Sequence, residues 1–482
     1  MRSVFAPLND FQIKDLPEKT KPNWKLVGPG AVLVGLSIGA GEIIIWPRIA
    51  AEYGASMIWA AVVGVFLQMW INIEIGRWTL ATGETVYTGF VRVWRGFAVV
   101  FILLTILSWL APAWAQASGL ALKALLVGPD WHVDDRGPID FWGTRTFWTL
   151  VTFVGVGLVL FGPKLIYRSV ERTVEALVII VVIGLVVVAI AVGTKETWFE
   201  LGRGIRMVGY RDPDLGVKEF FIALVFAGAG GTANLFYTFY LRDKHIGMGA
   251  RLPSMLNPLR GRAEKIPATG FLFPDTFENR RRFRKWWSFL WQDQVLYFWL
   301  LNSLTILLFI FAALAVLHPL GKVPGKNTLI YDQAIVLGEV WGRPGMTIFL
   351  VVGVATLFST QLALIDGVCR SLADIFYTNF SWAQKRQIGW WYLLITGIWM
   401  ILAIAITAIL ESKNYSNLGI LFNAAYVGGF AMAIYVPLTL WMNLRYLPKT
   451  ARPGWVCTFM MIVATCVYVG FAISCIIWEF KR

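Results

Sequence analysis

The 482-residue sequence has few histidines, few cysteines and few charged residues. Its 3 His and 4 Cys lack the spacing of a zinc finger or a His-rich metal site, and the cysteines lie in or beside apolar runs, where buried thiols are common. Charged residues make up 15% of the chain and hydrophobic residues 57%. This composition excludes an ordinary soluble domain and is typical of a protein that crosses the membrane several times.

The sequence also lacks the motifs of the common enzyme classes. It contains no nucleophile elbow, phosphate-binding loop or zinc-protease motif in a suitable context, and the glycine-rich stretch 228–231 is not followed by a phosphate-binding lysine. We therefore expect neither an enzyme nor a bound cofactor.

Long apolar runs dominate the chain. At roughly 20 residues per membrane-crossing helix, we identify about 11 runs of spanning length, which predict an all-α membrane protein. The predicted spans, numbered one to eleven below, are 29–50, 55–76, 97–122, 146–162, 172–193, 217–240, 294–317, 345–368, 389–411, 418–442 and 455–478.

Basic residues are concentrated in alternate segments between the spans. The chain carries 43 Lys+Arg against 29 Asp+Glu, and the positive-inside rule places the more basic segments in the cytoplasm. We therefore expect a multi-pass protein of the cell (inner) membrane, with a cytoplasmic N-terminal segment, residues 1–27, and an external C-terminus.

The loop 241–293, expected to be cytoplasmic, is the most basic segment. Its stretch Arg280–Trp287 combines Arg and Lys with Phe and Trp just before span seven. This pattern favours an interfacial anchor on anionic lipid of the bilayer. Because the stretch adjoins a membrane span, we do not expect nucleic acid as a partner.

Span one is interrupted near its middle by Gly39-Ala40-Gly41, which Glu42 follows. Glycine weakens a helix by about 1 kcal/mol per position, and an acid at membrane depth costs about 2.5 kcal/mol or more. Together they favour a broken helix in which backbone carbonyls and one acid face a binding cavity. The alternative is a closely packed glycine-rich helix, with Glu42 capping a helix end.

Span six contains a similar interruption, Gly228 to Gly231, with Asn234 after it. Paired interruptions in corresponding spans are typical of inverted-repeat transporters, which bind their substrate near the middle of the membrane. The predicted five-helix repeats are 28–193 and 217–442, and 455–478 is an additional helix.

Several short motifs follow one another along the chain. They are Gly28-Pro29-Gly30, Gln68, Gly76-Arg77, Thr82-Gly83, Tyr167-Arg168 with Glu171 and Glu175, Asn234-Leu235, Gln361 with Ile365 and Gly367, and Pro437-Leu438. In this order they resemble the natural-resistance-associated macrophage protein (NRAMP) family of divalent-metal transporters. The resemblance runs from Gly28 to about Tyr446, except for the basic loop. It implies the LeuT-type fold of the APC superfamily and transport by alternating access.

The chain departs from this family where the resemblance places the metal site. Gly39 stands in place of the family's metal-binding Asp, Gly231 in place of its Met ligand, and Gly228 in place of the Ala whose carbonyl binds the ion. The acids of the family's proton path in span three are absent, and Gln116 occupies one of their positions, so the resemblance does not support proton coupling. Asn423 aligns within about one residue of the family's polar ligand in span ten.

Glu42 is the candidate metal ligand. Its carboxylate, the carbonyl oxygens near Gly39, Gly228 and Gly231, and Asn234, which follows Gly231 by three residues, predict an all-oxygen site. Such a site suits Mg²⁺, Ca²⁺ or Mn²⁺ better than thiophilic metals. Gly231 in place of Met is also expected to leave volume for an ion that keeps several waters, as Mg²⁺ prefers.

Two further acids lie in or near the spans. Asp366, in span eight, is either a second cation or proton site or one member of an intrahelical ladder with Arg370 and Asp374. Glu74 precedes Arg77 by three residues, a spacing that favours an ion pair at the membrane edge over a coupling site.

Three amide side chains are also candidates. Gln116 and Asn234 either line the transport path or hold helices together, and Gln361 and Gln116 are candidates for a coupling or second site. We therefore expect a monomeric secondary transporter that carries a hard divalent cation, of the Mg or Mn class, as its substrate. The alternatives are a carrier of a small organic solute, such as an amino acid or an amine, and a non-transporting membrane sensor with the same fold.

Overall fold

The computed structural model describes every residue except 1–5, 7, 27, 40, 129–142, 261–265, 326–328, 481 and 482. Regular structure in the described residues is almost entirely helical, as the sequence predicted. The helices are α1 (Pro29–Ser37), α2 (Trp46–Tyr53), α3 (Ile58–Thr82), α4 (Val86–Val93), α5 (Phe97–Trp109), α6 (Ala113–Leu126), α7 (Arg145–Phe161), α8 (Ile166–Val192), α9 (Lys195–Arg206), α10 (Val217–Val225), α11 (Tyr237–Asp243), α12 (Phe277–Gln292), α13 (Asn302–Ala312), α14 (Leu329–Asn379), α15 (Ile388–Ser412), α16 (Asn417–Tyr446) and α17 (Trp455–Phe480).

Eight helical segments in the described part of the chain are long and apolar enough to cross a membrane. One of them, Pro29–Thr82, contains predicted spans one and two. Predicted span four is the shorter apolar helix α7, and predicted span six is divided between α10 and α11. The protein is therefore a multi-pass membrane protein, and the count of about 11 spans stays a prediction.

Loops that the sequence placed on one side of the membrane contact one another. On the side of the N-terminal segment, the backbone N–H of Ala6 donates to the carbonyl of Asn379 at 2.8 Å. On the opposite side, the guanidinium of Arg48, near the end of span one, donates to the carbonyl of Pro324, beyond span seven, at 2.6 Å. These contacts support the predicted alternation of the spans. The assignment of the first side to the cytoplasm stays a prediction.

The basic loop has more regular structure than the sequence suggested. Its strand β2 (Phe271–Leu272) pairs in parallel with β1 (Gln12–Ile13) of the N-terminal segment. The Thr276 hydroxyl then accepts the N–H of Asn279 and caps α12. From there α12 continues through a π-helix, Asp293–Leu301, into span seven. The expectation of a loop throughout 241–293 is thus corrected, because the Arg- and Trp-rich stretch is the first part of a membrane-entering helix.

Span three is broken as well, which the sequence analysis did not predict. α5 ends at Trp109 and α6 begins at Ala113, immediately after Pro112. Proline has no N–H to donate within a helix and its ring clashes with the preceding turn. At this break the indole N–H of Trp109 donates to the Thr232 hydroxyl at 2.7 Å, so span three contacts span six here.

Candidate functional site

Glu42 lies where the helix of span one is broken, between α1 and α2, in the π-helix Gly41–Ile45. Its side chain is fully buried, and neither carboxylate oxygen has a hydrogen-bond partner among the described residues. The hydroxyl of Thr305 lies beside the carboxylate, and its single O–H is also within hydrogen-bonding distance of the carbonyls of Leu301 and Asn302. The alternative in which Glu42 caps a helix is not supported, because no described N–H donates to the carboxylate.

All other buried carboxylates among the described residues have partners. The pairs are Glu74 with Arg77, Glu84 with Arg92, Glu171 with Lys244, Asp243 and Asp366 with Arg370, Asp374 with Arg242, and Asp293 with Tyr237 and Gly30. An unpaired charge inside a protein costs several kcal/mol. Glu42 is therefore the buried acid that is placed to receive a cation from outside the chain.

The break in span one touches the break in span six. α10 ends at Val225, and the chain then passes through Gly230 and Gly231, whose φ angles of +67° and +51° fall in the left-handed region. A Cβ on Gly41 would lie 1.8 Å from the carbonyl oxygen of Phe226. The prediction that both spans are broken is confirmed, and the two interruptions form one site.

Side chains of neighbouring helices hold the open ends of the two breaks. Thr360 Oγ1 of α14 donates to the carbonyl of Gly35 at 3.2 Å. The Ser37 hydroxyl donates to Asn302 Oδ1 at 2.5 Å, and Asn302 Nδ2 donates to the carbonyl of Ala227 at 3.3 Å. Asn302 thus connects span one to span six. The sequence analysis missed this role, because a lone Asn in an apolar run carries no local sign of its partners.

Gly39 and Gly228 offer only backbone atoms, and their role as carbonyl ligands stays a prediction. A Cβ on Gly39 would lie 2.2 Å from Thr360 Oγ1, and one on Gly228 would lie 2.6 Å from Gln68 Oε1. The position that aligns with the family's metal-binding Asp therefore has no room for a side chain. Ala40 lies outside the described residues.

Gln68 of α3 stabilises the break in span six. Its amide nitrogen donates to the carbonyl of Val225 at 2.8 Å, and its Oε1 accepts the N–H of Gly230 at 3.0 Å. Gln68 Oε1 also accepts from Asn234 Nδ2 at 3.2 Å, while Asn234 Oδ1 is buried without a partner among the described residues. The amide nitrogen of Asn234 therefore connects two helices, while its Oδ1 stays available close to the break.

Two expectations about the site are wrong. Gly231 leaves no spare volume, because a Cβ there would lie 2.9 Å from the Cα of Gly428, and its carbonyl accepts the Tyr435 hydroxyl at 2.8 Å. Asn423 is exposed and is not among the residues that hold the breaks.

The remaining acids form structural ion pairs. Asp366 accepts two bonds from Arg370 at 2.8 Å, as the ladder alternative predicted, but the second partner of Arg370 is Asp243 of α11. Asp374 does not join that ladder and pairs instead with Arg242 at 3.0 Å. These pairs bind α11 to α14 at the end of the bundle that holds the N-terminal segment.

Glu74 and Gln116 also have structural partners. Glu74 pairs with Arg77 at 2.9 Å and accepts from Asn443 at 2.8 Å, so the ion-pair interpretation describes its contacts. Gln116 donates to the Thr407 hydroxyl at 3.2 Å and joins α6 to α15. Gln361 is buried, and neither of its amide atoms has a partner among the described residues, which keeps it a candidate for the transport path.

Asp293 is a buried acid that the sequence analysis missed. Its carboxylate accepts the N–H of Gly30, in the first turn of α1, at 3.1 Å and the Tyr237 hydroxyl of α11 at 2.6 Å. An acid at a helix N-terminus stabilises that end electrostatically. Asp293 therefore holds α1 against spans six and seven. Its place directly after the Arg- and Trp-rich stretch gave no sign of this contact.

Cavities lie at both ends of span one. Beyond the break, a cavity of about 290 Å³ is lined by Ile45 and Arg48 together with residues of α10 and α16. Before the break, a cavity of about 380 Å³ is lined by Lys25, Glu171 and Lys244. Glu42 lies between the two along the chain and is closed off from both.

The described residues contain no group of three or more His, Cys, Asp or Glu side chains that is placed to hold a metal ion. A cation at Glu42 would therefore be bound by one carboxylate, with the other contacts from backbone, amide or hydroxyl oxygens and water. This donor set is one that hard cations accept.

No known protein family matches the sequence, and no curated protein matches it either. Solved structures do match. The manganese transporter of Eremococcus coleocola, in complex with an aromatic bis-isothiourea substituted compound, has a TM-score of 0.65 and 14% identity, with 96% of this chain and 89% of that chain covered.

Two other solved structures are similar at lower scores. MhsT in complex with L-phenylalanine has a TM-score of 0.50 and 15% identity, with 95% of this chain and 99% of that chain covered. Mhp1, a nucleobase-cation-symport-1 family transporter in a closed conformation with bromovinylhydantoin bound, has a TM-score of 0.50 and 13% identity, with 92% of each chain covered. The manganese transporter and Mhp1 are both transporters. The LeuT-type fold that the NRAMP resemblance implied is confirmed.

Proposed function

We propose that this chain is a secondary transporter that moves a hard divalent cation, of the Mg²⁺ or Mn²⁺ class, across the membrane by alternating access. The observation that carries the proposal is the partnerless carboxylate of Glu42, buried where two broken helices touch. Broken spans with one acid and free backbone carbonyls are the usual construction of a cation site at the middle of the membrane.

The surroundings of Glu42 favour a hard ion. The donors near the two breaks are carboxylate, hydroxyl, amide and carbonyl oxygens, and the position of the family's thioether ligand is Gly231. Mg²⁺ commonly keeps several waters and binds to a protein through one or two carboxylates. A site with one carboxylate suits such a partly hydrated ion. The manganese transporter of similar fold supports the same ion class.

The contacts at the N-terminal end of span one suggest how access would alternate. There Asp293 binds the start of α1. Lys244 and Glu171, which line the 380 Å³ cavity, form an ion pair at 2.6 Å. Release of these contacts would let α1 move and would join the 380 Å³ cavity to Glu42. The cavity beyond Ile45 would serve the opposite side.

Glu42→Gln tests the site, with Glu200→Gln as the matched control. Glu200 is an exposed acid of α9, so both variants replace one carboxylate by an amide. In proteoliposomes we expect Glu42→Gln to abolish Mg²⁺ and Mn²⁺ uptake and Glu200→Gln to leave it unchanged. Saturating ion should raise the unfolding temperature of the wild type, because a ligand at 100 times its Kd stabilises the folded state by about 2.7 kcal/mol.

The thermal assay separates loss of binding from loss of folding. Glu42→Gln should unfold at the wild-type temperature without ion, or above it, and should show no rise with ion. Uptake at the wild-type rate in Glu42→Gln would refute the site, and a strong preference of the wild type for Cd²⁺ would refute the hard-cation class.

A carrier of a small organic cation is the second candidate. It is favoured by the absence of a three-ligand cluster among the described residues, since one carboxylate balances one ammonium group. Transporters of similar fold hold L-phenylalanine and a hydantoin. A thermal-shift screen with amines and amino acids discriminates the two, because an amine that stabilises the wild type but not Glu42→Gln would favour this candidate.

A further inference from the structure

A cavity of about 860 Å³ lies between α3, α12 and the start of α17, and none of its lining residues belongs to the breaks of the candidate ion site. Basic and aromatic side chains line it. Those that matter here are Arg284, Lys449, Arg452, Trp70, Trp287 and Trp291.

The basic side chains that line the cavity outnumber its one acid, Asp275. Arg284, Lys449 and Arg452 are exposed and form no ion pair within the described part of the chain. Arg77 at the base is different, because it pairs with Glu74 and its guanidinium lies 4.0 Å from the centre of the Trp287 ring. Three cations are thus available to an anion from outside.

The one acid that lines the cavity, Asp275, already has partners of its own. Asp275 is bound by the Thr450 hydroxyl and by the Arg280 guanidinium, and these contacts lower the pKa of its carboxyl. They also tie α12 to the link between α16 and α17, so that the rim of the cavity is built from two separate parts of the chain.

The cavity lies where two helices enter the membrane. Along α12 its lining changes from Arg280 and Arg284 to Trp287 and Trp291 in the direction of span seven. α17 begins beside it at Trp455, whose side chain is 82% exposed. Basic residues followed by tryptophans are typical of the boundary between headgroups and acyl chains.

We propose that this cavity binds one anionic phospholipid of the surrounding bilayer. The phosphate contacts Arg284, Lys449 and Arg452, and the acyl chains lie along Trp70 and Trp291. Arg binds phosphate through paired N–H donors and Lys as a point charge, so the three side chains suit a phosphodiester. The lipid would join α12 to the start of α17.

Native mass spectrometry of the purified full-length protein tests this proposal. With phosphatidylglycerol or phosphatidylcholine added at equal concentration, we expect one tightly retained phosphatidylglycerol and no equivalent phosphatidylcholine. In Arg284→Gln/Lys449→Gln the affinity for this lipid should fall about 30-fold, at about fivefold for each basic side chain.

Lys385→Gln/Arg445→Gln is the matched control. Both side chains are exposed on the same predicted side of the protein, lie outside the cavity and form no ion pair within the described residues. This variant loses the same charge and should retain the lipid. Equal retention of both lipids by the wild type, or equal loss in the two double variants, would overturn the proposal. Competition by soluble glycerol phosphate at millimolar concentration would also overturn it, since it would assign the site to a free phosphate compound.

Discussion

Gly41→Ala tests whether the contact between the two breaks is essential. A Cβ at this position would lie 1.8 Å from the carbonyl oxygen of Phe226, whereas real Cβ atoms essentially never approach closer than 3.0 Å. One break must therefore move by more than 1 Å. Overpacking of a well-packed interior typically costs about 1–3 kcal/mol, and here the obstacle is backbone, so we expect about 3 kcal/mol. At about 2 °C per kcal/mol for a large domain, the apparent Tm should fall by about 6 °C.

Gly397→Ala is the matched control for this experiment. Gly397 lies within α15, and a Cβ there would meet no heavy atom within 4 Å. Alanine in a helix is more favourable than glycine by about 0.5–1 kcal/mol, so its Tm should be unchanged or slightly raised. Both variants are measured by thermal unfolding in detergent and by ion uptake. If Gly41→Ala matched Gly397→Ala in Tm and in uptake, the joint site of spans one and six would be refuted.

Three further outcomes are expected. Gly231→Met should lower the apparent Tm by several degrees without any gain in Cd²⁺ binding, because φ is +51° there and a Cβ would lie 2.9 Å from backbone; a Cd²⁺ competition assay that shows a gain would contradict this. Asp293→Asn should speed hydrogen exchange around Gly30, since a neutral amide holds the start of α1 more weakly than a carboxylate; unchanged exchange would contradict the anchoring role. In a cysteine-depleted background of intact cells, a cysteine at exposed Leu259 should resist an impermeant maleimide and one at exposed Tyr415 should react; the reverse result would invert the predicted topology.

The sequence predicted the features that the bilayer dictates directly. A helix needs about 20 apolar residues to cross it, so candidate spans can be recognised as apolar runs in the sequence. Glycine clusters within such runs conflict with helix formation, so the breaks in spans one and six were visible too. The break in span three also has a sign in the sequence, Pro112 within the apolar run, but the contact of Trp109 with Thr232 of span six has none.

The sequence did not predict which polar groups bind one another. Asn302 and Gln68 hold the breaks through partners far away in the chain, and Asp293 reaches Gly30 across more than 260 residues. No local pattern contains such contacts. For the same reason Asp366 and Glu42 looked alike as buried acids. Only the structure separates them, because Asp366 is matched by Arg370 and Glu42 by no described residue.

The single carboxylate also limits how a divalent ion would be held. Carbonyls at the ends of the two half-helices already accept side-chain donors, as those of Gly35 and Val225 do from Thr360 and Gln68. A bare ion that needs six or more protein oxygens would therefore find too few. An ion that keeps much of its hydration shell needs only Glu42 and a few polar contacts, and Mg²⁺ gives up its water reluctantly. Cd²⁺, which is stabilised by soft ligands, gains least in such a site. In competition for uptake by the wild type, Cd²⁺ should accordingly be the weakest competitor and Mg²⁺ should compete at least as well as Mn²⁺.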